Sequence, residues 1–164
     1  MNVGRLGCRL IIATCTLMAV VCSAQETPTE HPGQLKKMIV TVYTLTQGKK
    51  ADTRLEISLR PSKQSKPIAL FDCFGEALAP QSQAFLYLPR VGTLNGWADL
   101  KRQKVFVKIR PIADESWTFR LHVDMEFTDG LMVTMDPGET TLTQGKDSRE
   151  VSFPVIGAKF EPNP

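Results

Sequence analysis

The sequence WTFRLHVDMEF at residues 117–127 alternates apolar and polar side chains without interruption. Alternation of this length predicts an antiparallel strand with one buried and one solvated face, because successive side chains of a strand point to opposite sides of the sheet. Burying the six apolar side chains would stabilise the fold by roughly 9–18 kcal/mol, at about 1.5–3 kcal/mol each. A pairing slip of one residue would bury Arg120 and Asp124, so the register of this strand is tightly specified.

Seven further segments carry strand patterns, and polar or Gly- and Pro-containing turns separate most of them. These segments are residues 38–45, 54–60, 68–74, 84–88, 104–110, 131–135 and 150–155. The first is apolar on both faces, as expected for a central strand, and we expect it to form a hairpin with the second. A short helix is predicted only within residues 90–103, with Asn95 as its cap.

Turn chemistry adds finer expectations. Asp129-Gly130 predicts a tight two-residue hairpin, because these residues tolerate the positive φ angles that such turns need. Asp136-Pro137-Gly138 predicts the end of a strand, and Pro154 predicts that the last strand lies at a sheet edge. About eight short strands with almost no helix are typical of an all-β antiparallel β-sandwich. A closed barrel is the alternative.

The first residues are typical of a cleaved signal peptide. Arg5 and Arg9 precede an apolar run at residues 10–21 that is too short to span a bilayer, and small residues follow before Gln25. We therefore expect a signal peptide at residues 1–24, a flexible leader at 25–36, a sandwich domain at 37–156, a loose tail at 157–164, and a secreted or periplasmic location. Lipid attachment at Cys22 is the alternative fate of this segment.

Removal of the signal peptide changes what the composition implies. Cys73 becomes the only cysteine, which excludes an internal disulfide and a thiolate zinc cluster. The formal charge falls from +3 to +1 because Arg5 and Arg9 leave with the segment. The basic precursor is thus no argument for binding nucleic acid, and we expect no nucleic-acid partner.

Short motifs along the chain resemble a known family. They are VTVYT at residues 40–44, DT at 52–53, VKIRP at 107–111, SWTF at 116–119 and FTDG at 127–130, with Phe153 near the end. In this order they resemble the PLAT (lipoxygenase-homology) sandwich, which is related in shape to C2 domains, and most closely a group of uncharacterised secreted bacterial PLAT-like proteins. The resemblance covers essentially the whole chain after the signal peptide. It implies an eight-stranded sandwich that contacts a membrane surface or a protein through its loops.

The resemblance suggests calcium as a candidate cofactor. Such relatives often carry an acidic run in the loop after the first strand, but this chain has TQGKK at residues 46–50. Calcium prefers clustered carboxylate oxygens, and Lys49 and Lys50 would repel it, so we expect no calcium there and no other cofactor. A weak metal site could instead form from Asp114, Glu115 and Asp136, although aspartate is also common in turns for backbone reasons.

Enzyme motifs are missing from the sequence. It contains no Gly-x-Ser-x-Gly, and His122 and Asp124 stand at alternate positions of one strand, about 7 Å apart along the backbone. A solvated strand face accounts for both residues, and we expect Cys73 to be buried as a small hydrophobic residue. We therefore predict no catalysis. A small hydrolase stays the alternative, which a pocket holding His122 beside a carboxylate from another strand would favour.

One loop carries the features of a contact surface. Trp97 lies among the cations Arg90, Lys101 and Arg102, and an indole ringed by cations suits a membrane surface or another ligand. Trp97 could equally cover one end of the core. The sequence thus predicts a non-catalytic binding module whose partner is a protein or a membrane surface. A structural envelope-associated subunit is a further alternative, favoured if the last strand pairs with a partner.

Overall fold

The strands form two antiparallel sheets that pack face to face. The computed structural model of the chain describes residues 33–46, 48–94, 96–110, 116–143, 149–156 and 159–162. The elements are β1 (Leu35–Thr44), β2 (Arg54–Arg60), β3 (Ala69–Cys73), β4 (Gln83–Leu88), α1 (Trp97–Lys101), β5 (Lys104–Arg110), β6 (Ser116–Phe127), β7 (Leu131–Thr143), β8 (Glu150–Pro154) and β9 (Lys159–Pro162). One sheet has the order β4-β1-β6-β7-β9 and the other β3-β2-β5-β8. The predicted antiparallel β-sandwich is confirmed.

The core lies between the sheets, with β6 at its centre. All six apolar residues of its alternating face are buried, none more than 4% exposed. The Trp117 and Phe119 rings stack with their centroids 4.2 Å apart, and the indole N–H of Trp117 donates a hydrogen bond to Thr44 Oγ1 at 3.3 Å. The predicted alternation and buried face of this strand are confirmed.

The first two strands do not form the predicted hairpin. β1 pairs with β4 and β6, whereas β2 pairs with β3 and β5 in the other sheet. The connection at residues 45–53 is long enough to cross the roughly 10 Å between packed sheets, so sequence proximity did not force pairing. The central position predicted for the first strand is confirmed.

The predicted strand end at residues 136–138 is wrong. β7 continues through it, and the register places Leu121 opposite Gly138 but Val123 opposite Met135. Two residues of β7 therefore oppose His122 alone, which defines a β-bulge. Pro137 is tolerated because a bulge interrupts the hydrogen-bond ladder, and Gly138 adopts a φ of 90° that favours glycine.

The chain differs from the predicted boundaries at both ends of the sandwich. β1 begins at Leu35, inside the stretch expected to be a flexible leader, and Lys159–Pro162 pair with β7 instead of forming a loose tail. The β6–β7 turn uses three residues rather than two, with Gly130 at a φ of 83°. β8 does lie at a sheet edge, as Pro154 indicated. The predicted signal peptide and most of the predicted leader lie outside the described residues.

Candidate functional site

The solvent-facing side of the five-stranded sheet, here called the outer face, carries exposed aromatic side chains. The inward residues Val40 and Leu86 are register partners, which directs the alternate residues of β1 and β4 outward. Phe85 is 72% exposed, Tyr87 53% and Tyr43 37%. Large apolar side chains left in solvent on a rigid sheet are typical of a contact surface.

The register sets these aromatic residues beside polar ones in three rows across the sheet. Phe85 lies opposite Thr41, which lies opposite His122. The row on one side runs from Tyr87 through Ile39 to Asp124, and the row on the other from Gln83 through Tyr43 to Arg120. Neighbouring strands are about 4.8 Å apart, so the aromatic edge lies roughly 10 Å from the polar side chains of β6.

His122 is held between two carboxylates at the centre of the outer face. Its Nδ1 lies 2.8 Å from Asp136 Oδ1, and its Nε2 lies 3.0 Å from Asp124 Oδ1. Burial of the ring lowers the pKa of His122, but the hydrogen bonds and negative charges of Asp136 and Asp124 outweigh this effect, so its pKa lies above the ordinary value. Both carboxylates favour the protonated ring, in which each nitrogen donates to one of them.

The β-bulge is what brings Asp136 to the ring. It places Asp136 and Pro137 together opposite His122, where a regular ladder would place one residue. The expectation that His122 and Asp124 are too far apart to interact was wrong, because their side chains lean towards each other along the strand. Sequence reasoning missed the Asp136 contact because it ended the strand at that residue.

Two clefts open beside the aromatic residues and meet at Tyr43 and Leu45. The first, of about 360 Å³, is lined by Tyr43, Leu45, Arg120, His122 and Asp136. The second, of about 470 Å³, is lined by Tyr43, Thr44, Leu45, Thr46, Gln81, Ser82 and Gln83. Together they extend the outer face from its polar centre towards one end of β4.

Sequence reasoning also missed the exposed aromatic residues. Phe85 and Tyr87 stand at alternate positions of the apolar run AFLYL, for which the sequence predicts only a strand. The available signal was that both faces of this strand carry apolar residues. Every strand of a two-layer sandwich has the core on one face only, so the second apolar face of β4 is left in solvent.

The residues of the predicted loop contact lie in two segments of the chain, the first after β4 and the second at α1. Trp97 begins α1, Lys101 ends it, and Arg102 caps its C-terminus, with both cationic residues exposed. Arg90 lies apart from this helix in sequence, and its guanidinium donates a hydrogen bond to Gln34 Oε1 at 2.8 Å beside the start of β1.

The cap predicted for the helix is also corrected. Gly96, not Asn95, is the N-cap, with no side-chain hydrogen bond. A φ of 84° at this position explains the choice of glycine. Leu100 is buried, as expected for the inward side of this turn.

Of the three predicted metal residues, only Asp136 lies among the described residues. Asp114 and Glu115 lie outside the described residues. Asp136 lies within the outer face on His122, rather than at an end of the sandwich. Within the described ranges, no group of three or more histidine, cysteine, aspartate or glutamate residues is arranged to hold a metal ion.

The loop after β1 holds a buried lysine ammonium. Lys49 is only 2% exposed, and its Nζ donates hydrogen bonds to the backbone oxygens of Lys50 at 2.9 Å, Thr53 at 2.8 Å, and Glu76. Its backbone also exchanges hydrogen bonds with that of Leu78. The side chain therefore ties the β1–β2 connection to the segment between β3 and β4.

Cys73, expected to be buried, is only half-buried at the end of β3. Partial burial raises the pKa of its thiol, and the negative charge of Glu76 raises it further. A raised pKa keeps the group as the less nucleophilic thiol at neutral pH. The structure therefore offers no activated cysteine at this position.

Comparison of the chain with protein-family models, with curated proteins and with solved structures gave no match. Among the described residues, no helix is long and apolar enough to cross a membrane. The chemistry of the outer face is therefore the basis for proposing a function.

Proposed function

We propose that this chain is a secreted, non-catalytic binding module that holds a neutral glycan on the outer face. The observation that carries the proposal is the row arrangement of exposed Phe85, Tyr87 and Tyr43 beside the His122 cluster. Aromatic rings stack against the apolar C–H faces of pyranose sugars, while sugar hydroxyls need paired donors and acceptors nearby. The outer face offers both on a rigid sheet, which holds a binding constellation better than a loop does.

Dimensions and charge favour a short stretch of neutral glycan. The distance of roughly 10 Å from the aromatic edge to β6 corresponds to about two pyranose units, and reaching β7 adds about another 5 Å. Arg120 lies opposite Glu139 and His122 lies between Asp124 and Asp136, so basic and acidic side chains are interleaved on this face. A strongly charged polymer would therefore gain little from this surface, whereas hydroxyl groups would find both hydrogen-bond donors and acceptors.

The loop contact proposed from the sequence has less support. Arg90 already donates to Gln34, and Lys101 and Arg102 are exposed helix-end cations of a kind common on protein surfaces. Contact with a membrane surface or a protein through these residues would require Trp97, Lys101 and Arg102 to act without Arg90. The aromatic rows of the outer face form the more continuous surface.

Hydrolase activity also has less support than binding. The first cleft does hold His122 beside a carboxylate from another strand, the arrangement that would favour a hydrolase. However, both ring nitrogens already face carboxylates, which leaves neither nitrogen to take a proton from a nucleophile. The cluster instead resembles a fixed hydrogen-bonding platform.

Affinity electrophoresis tests the proposal. The exported protein is run through gels containing soluble neutral polysaccharides, namely xylan, mannan, mixed-linkage β-glucan, cellulose ether and starch. We expect at least one polysaccharide to retard the wild type, and Phe85→Ala/Tyr87→Ala to weaken that retardation roughly tenfold, since aromatic anchors dominate such contacts. Phe74→Ala is the matched control, because Phe74 is 64% exposed but lies next to β3.

Two results would refute glycan binding at this face. One is free migration of the folded wild type through every polysaccharide. The other is retardation that the double variant leaves unchanged while circular dichroism shows that it is folded.

A further inference from the structure

Among the described edge strands, only β4 contains neither a charged residue nor a proline. β3 carries Asp72, which pairs with Arg54, and its Leu70 N–H donates to Pro89 O. β8 contains a glutamate and a proline, and β9 contains a lysine. β4 reads QAFLYL, with no charge and no proline. Proteins normally protect sheet edges with such residues, so an unprotected edge indicates a partner strand.

The backbone of β4 also presents unpaired groups at this edge. Thr44 N–H donates to Ser82 O at 2.8 Å, which fixes the phase of the β1–β4 ladder. Since hydrogen-bonded pairs alternate along an antiparallel ladder, the odd-numbered residues Gln83, Phe85 and Tyr87 direct their N–H and C=O groups away from β1. No other described strand lies beyond β4 to receive them.

We infer that two copies of this chain associate by pairing β4 antiparallel with itself, joining their five-stranded sheets into one continuous sheet. A second copy fits because a strand without charges meets no like charge across a two-fold axis. β3, β8 and β9 each contain at least one charged residue, whereas β4 contains none. This association goes beyond glycan binding and does not depend on it.

The register of the pairing follows from the outward groups. Outer-facing residues must oppose outer-facing residues, and the odd positions must form the hydrogen-bonded pairs. With Phe85 opposite Phe85 of the second copy, Gln83 opposes Tyr87 twice, and about six backbone hydrogen bonds form. A shift of two residues in one direction would bring Pro89, which has no N–H, into the ladder. A shift in the other direction would bring in Gln81, whose N–H already donates to Leu45 O. The favoured register therefore has Phe85 on the two-fold axis.

The expected association is weak and depends on concentration. From exposed fractions of 72% and 53%, and about 200 Å² per aromatic side chain, Phe85 and Tyr87 offer roughly 250 Å² per copy. Even with the strand backbone, the total lies below the roughly 1,200 Å² of stable interfaces. Pairing leaves the rings on the outer face, so a dimer would present two sets of aromatic residues to one long ligand.

Sedimentation velocity on the exported protein without any glycan tests the dimer separately from the proposed function. From about 1 μM to about 1 mM, we expect the wild type to shift from monomer to dimer. Phe85→Lys should stay monomeric because two cations meet on the axis, whereas Phe74→Lys should dimerise like the wild type. Phe85→Glu alone should also stay monomeric.

Mixing the charge variants tests the register. Equimolar Phe85→Lys and Phe85→Glu should restore the dimer, since opposite charges then face each other. A wild type that is monomeric at every concentration overturns the inference. So does a dimer that Phe85→Lys leaves intact, or a mixture of the two charge variants that stays monomeric.

Discussion

Replacing Lys49 with methionine should destabilise the sandwich by about 3 kcal/mol. The ammonium serves three backbone carbonyl oxygens in a site that is only 2% exposed. Hydrogen bonds to a charged donor contribute about 1.5–3 kcal/mol each. Part of that loss is offset because the buried charge, with its desolvation cost, is also removed. Methionine keeps most of the side-chain volume, so the variant isolates the polar contribution.

The assay is urea unfolding followed by tryptophan fluorescence, since Trp117 is buried in the core. With a urea m-value of about 2 kcal/mol/M, a loss of about 3 kcal/mol should lower the unfolding midpoint by roughly 1.5 M. Lys66→Met is the matched control, because Lys66 is exposed in the β2–β3 connection and should stay within about 0.5 kcal/mol of wild type. Equal midpoints for the Lys49 and Lys66 variants would refute the argument that the ammonium ties the two connections together.

Three further predictions concern the outer face and Cys73. The pKa of His122 is raised in the folded chain, so the stability that its protonation contributes is present below the ordinary pKa of about 6.5 and is lost as pH rises through the folded value. NMR titration should show the raised pKa, and Asp136→Asn should lower it. An unchanged pKa in that variant would contradict the contact between the two side chains. Gly138→Ala should lower the free energy of unfolding by about 1–2 kcal/mol in urea, because a φ of 90° is strained for a residue with a Cβ, although nothing lies within 4 Å of the added atom. A wild-type midpoint would show that the bulge relaxes to accommodate alanine. At pH 8, iodoacetamide should modify Cys73 several-fold more slowly than it modifies free glutathione, because partial burial raises the pKa of the Cys73 thiol. Equal rates would show that burial does not protect this thiol.

The local sequence pattern was sufficient to predict most of the strands. The alternation in β6 predicted both its conformation and its buried face, because successive side chains of a strand point to opposite faces of the sheet. Pro154 predicted an edge position for β8 for an equally local reason, the missing N–H. Such features need no knowledge of the partner strand.

Strand partners and the outer-face cluster required the tertiary structure. Nothing in β1 or β2 alone shows that they belong to different sheets, since a nine-residue connection can close a hairpin or cross between layers. The contact between His122 and Asp136 depends on a bulge, which shifts the register by one residue. The sequence at the bulge, Asp136-Pro137-Gly138, is typical of a turn and so gave no sign of it.

The sequence by itself therefore determined most of the strands, the buried face of β6 and the sandwich class. Only the tertiary structure decided that Phe85 and Tyr87 lie on an edge strand, in register with His122 and Asp124 respectively. The physical reason is that side-chain direction within a strand is local, whereas exposure depends on which strands lie beside and across from it.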